Sequence, residues 1–389
     1  MDERKGKTKR QHYVPRMLLR NFSSDGKRIS LVTGGKRIYE TGLRDQCQED
    51  YFYGADQVME DSFAKEEAKM AGFFGDLAPE KFASLGDDDV YQLRLFVAYQ
   101  HARTRAAAEH LNAFTAAFLN EAVRGSAILN ADAEVTPDEL DAIEVRMTNP
   151  QHDAIWQASK SNPILIDMRV KFIKTARTPG FVIADHPVVA YNQFAEQHPV
   201  LSRYPTSTGW AAKGLQLFMP LSPGMALAVF DPSTYEYGGK NTVCTAGPAD
   251  VTHLNRMQAV NAYSSFYFDK TRMTDEGLRD LEETRARHPS VFKKNVSKSP
   301  MIRHEDGKTG QFIAVHQTEV RVGAKLSFIR TTDSRSYDDH EGASVPIRSK
   351  EVMEFAKFYG KMLEQEASQR HADRESQDPQ DTTRDRDAT

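Results

Sequence analysis

Residues Asp87–Arg124 read DDDVYQLRLFVAYQHARTRAAAEHLNAFTAAFLNEAVR, a stretch without Pro or Gly. As a single α-helix it would form a rod about 55 Å long. Asp87, Asp88 and Asp89 stand at its start, where the helix dipole favours negative charge, and Gly125 follows where a helix commonly stops. One seam runs at spacings of three and four through Val90, Leu93, Val97, Gln100, Thr104, Ala107, Leu111, Phe114 and Phe118. Only Gln100 and Thr104 are polar, so an amide and a hydroxyl point toward the core at mid-helix, with Arg103 beside them. Buried polar groups need partners, so something polar must face this helix. That leaves a functional site or a satisfied core hydrogen-bond network.

Working outward on the N-terminal side, a helix is expected over 56–77, with the seam Met59, Phe63, Glu66, Met70, Phe73, Leu77. Glu60 and Glu67 lie seven apart, nearly on one line along it. Before it, Arg28–Val32 and Lys36–Glu40 flank Gly34-Gly35, which predicts a β-hairpin. Pro15 suits the first turn of a short helix carrying Met17, Leu18, Leu19 and Phe22. Residues 1–10, MDERKGKTKR, are basic, lack the apolar segment of a signal peptide, and are expected to be a mobile arm.

On the C-terminal side, Thr136-Pro137-Asp138-Glu139 is a capping box, and Asn149-Pro150 opens a helix expected to reach about Thr175. From Gly180 the pattern changes. Residues 181–192 read as two short strands around Asp185-His186-Pro187. Residues 215–232 read as two strands joined by Ser222-Pro223-Gly224. A helix is expected over 252–260 and a strand over 264–268. Residues 311–317 and 326–331 are expected to close the sheet as a pair, and 349–366 to form a last amphipathic helix. From Ala367 the chain is nearly devoid of apolar residues and is expected to be disordered.

These elements predict an α+β fold. A mostly helical half over 11–177, built on the long helix and carrying a small hairpin, packs on a mostly antiparallel strand-rich half over 178–366. The arm (1–10) and the tail (367–389) flank them.

The chain has 389 residues, 39% hydrophobic and 27% charged, as in ordinary globular proteins. A net charge of -4 gives no global field for nucleic acid, so such a partner would need a local basic patch. Cys47 and Cys244 make neither a disulfide framework nor a cysteine metal site. No run of 18 apolar residues occurs, so no membrane span is expected, and a bacterial-type cytoplasm is the expected location. No P-loop, GxSxG elbow, HExxH or dinucleotide fingerprint is present, and no ExK follows Asp185.

The run QHYVPRMLLRNF (Gln11–Phe22) resembles the opening signature of an uncharacterised bacterial family, the domain of unknown function numbered 4238. Further similarities follow in order. They are YFYG (Tyr51–Gly54), the paired Glu60 and Glu67, QHART (Gln100–Thr104), IADHPV (Ile183–Val188) and FMPLSP (Phe218–Pro223). The chain departs in having Ala184 where that family usually has serine. The resemblance implies site residues rather than an activity.

His12 could ligate a metal or act as a general base, or could cap a neighbouring element. Glu60, Glu66 and Glu67 could hold a hard cation, or form a solvated helical face. Arg103 could grip a phosphate, or pair with Glu60 or Glu67 and tie two helices together. Asp185 could stand at a strand end in a site, or cap the turn made by Pro187. The first functional expectation is a metal-dependent phosphodiester hydrolase, nuclease-like, from a bacterial defence or conflict system. In it Glu60, Glu67 and Asp185 would hold Mg²⁺ or Mn²⁺, His12 would activate water, and Arg103 with Gln100 would meet the phosphate of nucleic acid or a small phosphorylated ligand. No nucleotide or haem cofactor is expected. The alternative is a non-catalytic ligand-sensing or interaction protein whose buried polar network binds a small anion or only supports the fold.

Overall fold

The computed structural model describes residues 8–75, 79–82, 85–129, 136, 138–139, 145–203, 207–238, 242–292, 294–300, 302–303, 309–310, 312–332 and 345–377. The helices are α1 (Arg16–Arg20), α2 (Val58–Phe74), α3 (Asp87–Ala102), α4 (Arg105–Leu129), α5 (Pro150–Ser161), α6 (Gln193–Gln197), α7 (Pro248–Asn261), α8 (Asp275–Arg287) and α9 (Lys350–Gln377). The strands begin with β1 (Arg10–His12), β2 (Arg28–Thr33), β3 (Lys36–Gly42), β4 (Gln48–Asp50), β5 (Arg169–Lys174), β6 (Ile183–Ala184) and β7 (Val189–Tyr191). They continue with β8 (Gln216–Ser222), β9 (Met225–Phe230), β10 (Tyr235–Tyr237), β11 (Val243–Thr245), β12 (Ser265–Phe268) and β13 (Lys294–Lys298). The last are β14 (Ile302–Arg303), β15 (Thr309–Gly310), β16 (Ile313–Gln317) and β17 (Ile329–Thr331).

The expected single rod is two helices. Arg103 leaves the helix with φ −80° and ψ 1°. Thr104 then caps α4, its Oγ1 accepting the Ala107 N–H at 3.2 Å. Gly125 does not end α4, which runs on to Leu129. At the other end Asp89 accepts the Gly86 N–H at 3.0 Å, as the acidic start of the stretch implies.

A helical half packed on a strand-rich half is overturned. In a four-stranded sheet ordered β3-β2-β12-β6, the N-terminal hairpin pairs with residues far along the chain, Leu31 opposite Tyr267. The five-stranded sheet is ordered β11-β5-β9-β8-β7, with β5 drawn from a segment expected to be helical. Arg169-Val170-Lys171-Phe172 alternates polar and apolar, a period-two signal. Helices α7 and α9 form in the C-terminal half where helices are expected, and α8 is an unexpected third one there. Helix and strand are therefore mixed along the whole chain. Nor do β16 and β17 pair: β16 joins β13 and β17 joins β10.

The five-stranded sheet is buried on both faces. Leu217, Met219, Leu221, Leu227 and Val229 meet Leu18, Leu93, Phe96 and Val97 of α1 and α3 on one side. Phe218, Ala226, Ala228 and Phe230 meet Val251, Leu254 and Leu326 on the other. Its strands accordingly read as near-continuous apolar runs. A third core under the four-stranded sheet joins Val32, Val182, Phe266 and Phe268 to Leu278 and Leu281 of α8.

The chain ends also differ from expectation. Thr8 donates its N–H to Gln57 at 2.7 Å and Lys9 pairs with Asp50, so residues 8–10 belong to the fold. The expected tail is helical to Gln377, and residues 378–389 lie outside those described. At Thr136 and Glu139 the reciprocal capping bonds form, while the helix expected after them lies largely outside the described residues.

Candidate functional site

The opening signature builds a closed polar cluster around Arg103. Gln11 is fully buried on β1; its Oε1 accepts the Tyr53 N–H at 2.6 Å and its Nε2 donates to the Gly54 carbonyl at 3.0 Å. Arg103 donates from Nη1 to Glu67 Oε1 at 2.7 Å, from Nη2 to the His12 carbonyl at 2.8 Å and from Nε to the Tyr53 hydroxyl at 3.1 Å. The Tyr53 hydroxyl in turn donates to the Arg103 carbonyl at 2.8 Å. The guanidinium lies 4.0 Å from the centre of the Phe63 ring, a cation–π contact. Each nitrogen of the Arg103 guanidinium makes a hydrogen bond.

The other candidates fall around it in different ways. The His12 ring meets the Arg44 carbonyl at 3.1 Å rather than Arg103, and burial pushes its pKa down to about 4. Gln100 donates to the Tyr13 carbonyl at 3.0 Å, while its Oε1 is buried without a hydrogen-bond partner among the described residues. Gln100 also lines a void of about 20 Å³ with residues that include Phe63, Glu66, Glu67, Phe96 and Arg103. It has room for one water molecule and none for a phosphodiester. Glu60 is half-buried, and burial raises its carboxyl above the usual range against the pull of Arg103. Phe63 and Met70 face inward as the seam predicts, but Glu66 is exposed and Glu67 takes its place.

Asp185 does not join the cluster through any hydrogen bond among the described residues. Its carboxylate accepts the N–H groups of Tyr263, Ser264 and Ser265 at 2.8, 2.7 and 3.0 Å. Burial raises its pKa despite those three bonds. It clamps the turn between α7 and β12. Among the described residues no three His, Cys, Asp or Glu side chains are grouped to hold a metal ion. Glu67 is closed on Arg103 and Asp185 on amides, so the carboxylates expected to share Mg²⁺ or Mn²⁺ are engaged separately.

The open chemistry lies on the far side of the helix break. A cavity of about 310 Å³ is lined by His101, His110 and Leu111 from α3 and α4, Ala154 and Ala158 from α5, and His186. Trp210, Asn261, Phe292 and residues 317–320 are also part of its wall. Thr104, next to Arg103, reaches His186, with Oγ1 2.7 Å from Nδ1. The His101 and His186 rings lie 5.0 Å apart at 53°, and His101 meets Trp210 edge-on at 5.8 Å. Phe292 lies 6.2 Å from His186 and 6.4 Å from His110. Burial pushes His101 down to about 4 and His186 well below its ordinary value, so both are neutral at pH 7.

His186 is fixed by its backbone. Three amides on one face of α7 grip the extended segment that carries it. Asn255 bonds the Val182 N–H and the Gly180 carbonyl, both at 2.9 Å. Gln258 bonds the Ala184 N–H at 2.9 Å and the Pro187 carbonyl at 2.8 Å. Asn261 donates to the carbonyl of His186 itself at 2.7 Å. With Asp185 held by the next turn, the imidazole is positioned from both sides.

His101 and His186 stand inside the QHART and IADHPV runs, where the sequence alone assigns them no role. Their signal was weak for a geometric reason. On a straight helix His101 and His110 are nine residues apart and point in opposite directions. The break at Arg103-Thr104 is what lets both line one cavity.

No curated protein and no solved structure matches the chain. Residues 10–272 match the family described as a protein of unknown function (DUF4238), and the chain belongs to that family.

Proposed function

We propose that this protein binds a small molecule in the histidine-lined cavity and acts as a non-catalytic ligand-sensing protein. The observation that carries this reading is the half-open cavity of about 310 Å³, walled by Leu111, Ala154, Ala158, Trp210 and Phe292 with a few convergent polar groups. That size and character are those of ligand pockets. Closure of Arg103 on Glu67 supports the same reading, because the basic residue expected to meet a phosphate is already engaged. Glu319, the carboxylate on the wall, is saturated by Ser207 and Thr208 through both amides and both hydroxyls.

The test is titration with N-phenyl-1-naphthylamine, an uncharged fluorescent probe that lights up in apolar sites. One-to-one binding in the micromolar range is expected. Ala158→Phe, which fills the cavity from α5, should abolish it in a protein with unchanged circular dichroism. Equal binding by both proteins would place the probe elsewhere and remove the support for this reading.

A further inference from the structure

We infer that the cavity is built for a flat, uncharged aromatic molecule of two fused rings carrying a carbonyl acceptor, which hydrogen-bonds the Nε2–H of His186. This rests on the proposal that the cavity is a ligand site, and it names the ligand class.

The argument begins at Thr104. Its side chain is fully buried, and its oxygen already accepts the Ala107 N–H. The hydroxyl hydrogen needs an acceptor, and the only polar side-chain atom recorded against it among the described residues is His186 Nδ1 at 2.7 Å. Thr104 therefore donates to Nδ1. A neutral imidazole that accepts at Nδ1 carries its proton on Nε2. No hydrogen bond to that N–H occurs among the described residues, and His186 forms part of the cavity wall. The site thus presents a fixed donor whose direction is set by Thr104 on one side and by the Asn261 bond to the His186 backbone on the other.

The rest of the wall sets shape and charge. Trp210, Phe292 and the His101 ring supply aromatic surfaces, which favour a flat partner. An apolar cavity of about 150 Å³ accommodates one benzene ring, so about twice that volume suits two fused rings. His101 and His186 are neutral, and Glu319 on the wall is already taken by Ser207, Thr208 and Arg321, so an uncharged ligand suits the wall better than a charged one. His101 makes no hydrogen bond among the described residues, so it can accept from an N–H next to the ligand's carbonyl. A ring lactam offers both groups on one edge.

Three probes of nearly one shape separate the possibilities: 2-quinolinone, 2-methylnaphthalene and 2-naphthoate, each displacing N-phenyl-1-naphthylamine at pH 7.5. 2-Quinolinone should bind about tenfold more tightly than 2-methylnaphthalene, and 2-naphthoate more weakly than 2-quinolinone. A site with a committed donor discriminates in this way, because the analogue without an acceptor leaves that donor unpaired. Nitrogen-15 spectra of histidine-labelled protein give a readout that needs no variant. The His186 ring should be in the Nε2–H form and its Nε2 resonance should shift on adding 2-quinolinone. Equal binding of 2-quinolinone and 2-methylnaphthalene, or an Nδ1–H form of His186, overturns this inference and leaves the ligand site standing. Failure of the fluorescent probe and all three competitors to bind overturns the ligand site itself and this inference with it.

Discussion

Glu67 of α2 and Arg103 at the end of α3 meet at 2.7 Å, with the arginine side chain 4% exposed and the glutamate 27%. The pair joins two helices, and Arg103 extends the link to β1 through the His12 carbonyl. Removing one partner of a buried pair strands the other, at a cost of roughly 3–5 kcal/mol. Arg103→Ala should therefore destabilise strongly in urea unfolding. Glu67→Gln alone should cost less, because Glu67 keeps contact with solvent. In the double variant the loss should be smaller than the sum. Additive losses would mean that the two side chains do not interact in solution.

Gln11 gives a second test. Gln11→Leu removes the amide bonds and leaves the Tyr53 N–H and the Gly54 carbonyl without their partner. A loss of about 2–6 kcal/mol is expected, at roughly 1–3 kcal/mol for each stranded group. An unchanged denaturation midpoint would contradict the bonding seen here.

A third prediction concerns the loop that carries His186. Asp185→Asn keeps the volume but leaves one oxygen to serve three amides. Amide exchange should accelerate at Tyr263, Ser264 and Ser265, with a stability loss of about 1–3 kcal/mol. Exchange spreading to the Arg103 cluster instead would show that Asp185 supports that centre.

Acid should weaken the protein in a way that His101 reports. Its folded pKa, about 4, lies below the ordinary value of 6.5. As pH falls below 6.5, the unfolded chain takes up a proton that the folded chain refuses until about pH 4. Stability then drops by up to ~1.4 kcal/mol per pH unit for this histidine. Glu60 and Asp185, raised by burial, work in the opposite sense, so the informative comparison is with His101→Gln. That variant should lose less stability between pH 6.5 and 4.5 than the parent, and identical slopes would refute the shift.

Local patterns in the sequence located many elements. The Gly34-Gly35 hairpin forms with both glycines at positive φ, 54° and 73°, and the paired strands around Ser222-Pro223-Gly224 form as β8 and β9. The seam marked Gln100 and Thr104 as buried, and they are, at 1% and 0% exposure. The sequence could not show that adjacent Arg103 and Thr104 serve two different environments. A helical period assumes the helix continues, and the departure is driven by partners such as Glu67 and His186 that are distant in the chain. The two-part fold failed for a similar reason. Which strands share a sheet depends on pairing over long separations, as between Leu31 and Tyr267, and local composition does not record it.

The three amides of α7 have one more effect. Strand β6 is the outermost in its sheet, bonded to β12 on one side only. Its other side would present free N–H and carbonyl groups, the kind of border onto which a strand from another chain can add. Asn255 and Gln258 occupy the outward N–H groups of Val182 and Ala184 and the carbonyl of Gly180. The helix thus seals that border with side chains in place of a strand. Polar residues on its buried face, which would ordinarily count against a stable core, guard the sheet here against intermolecular pairing.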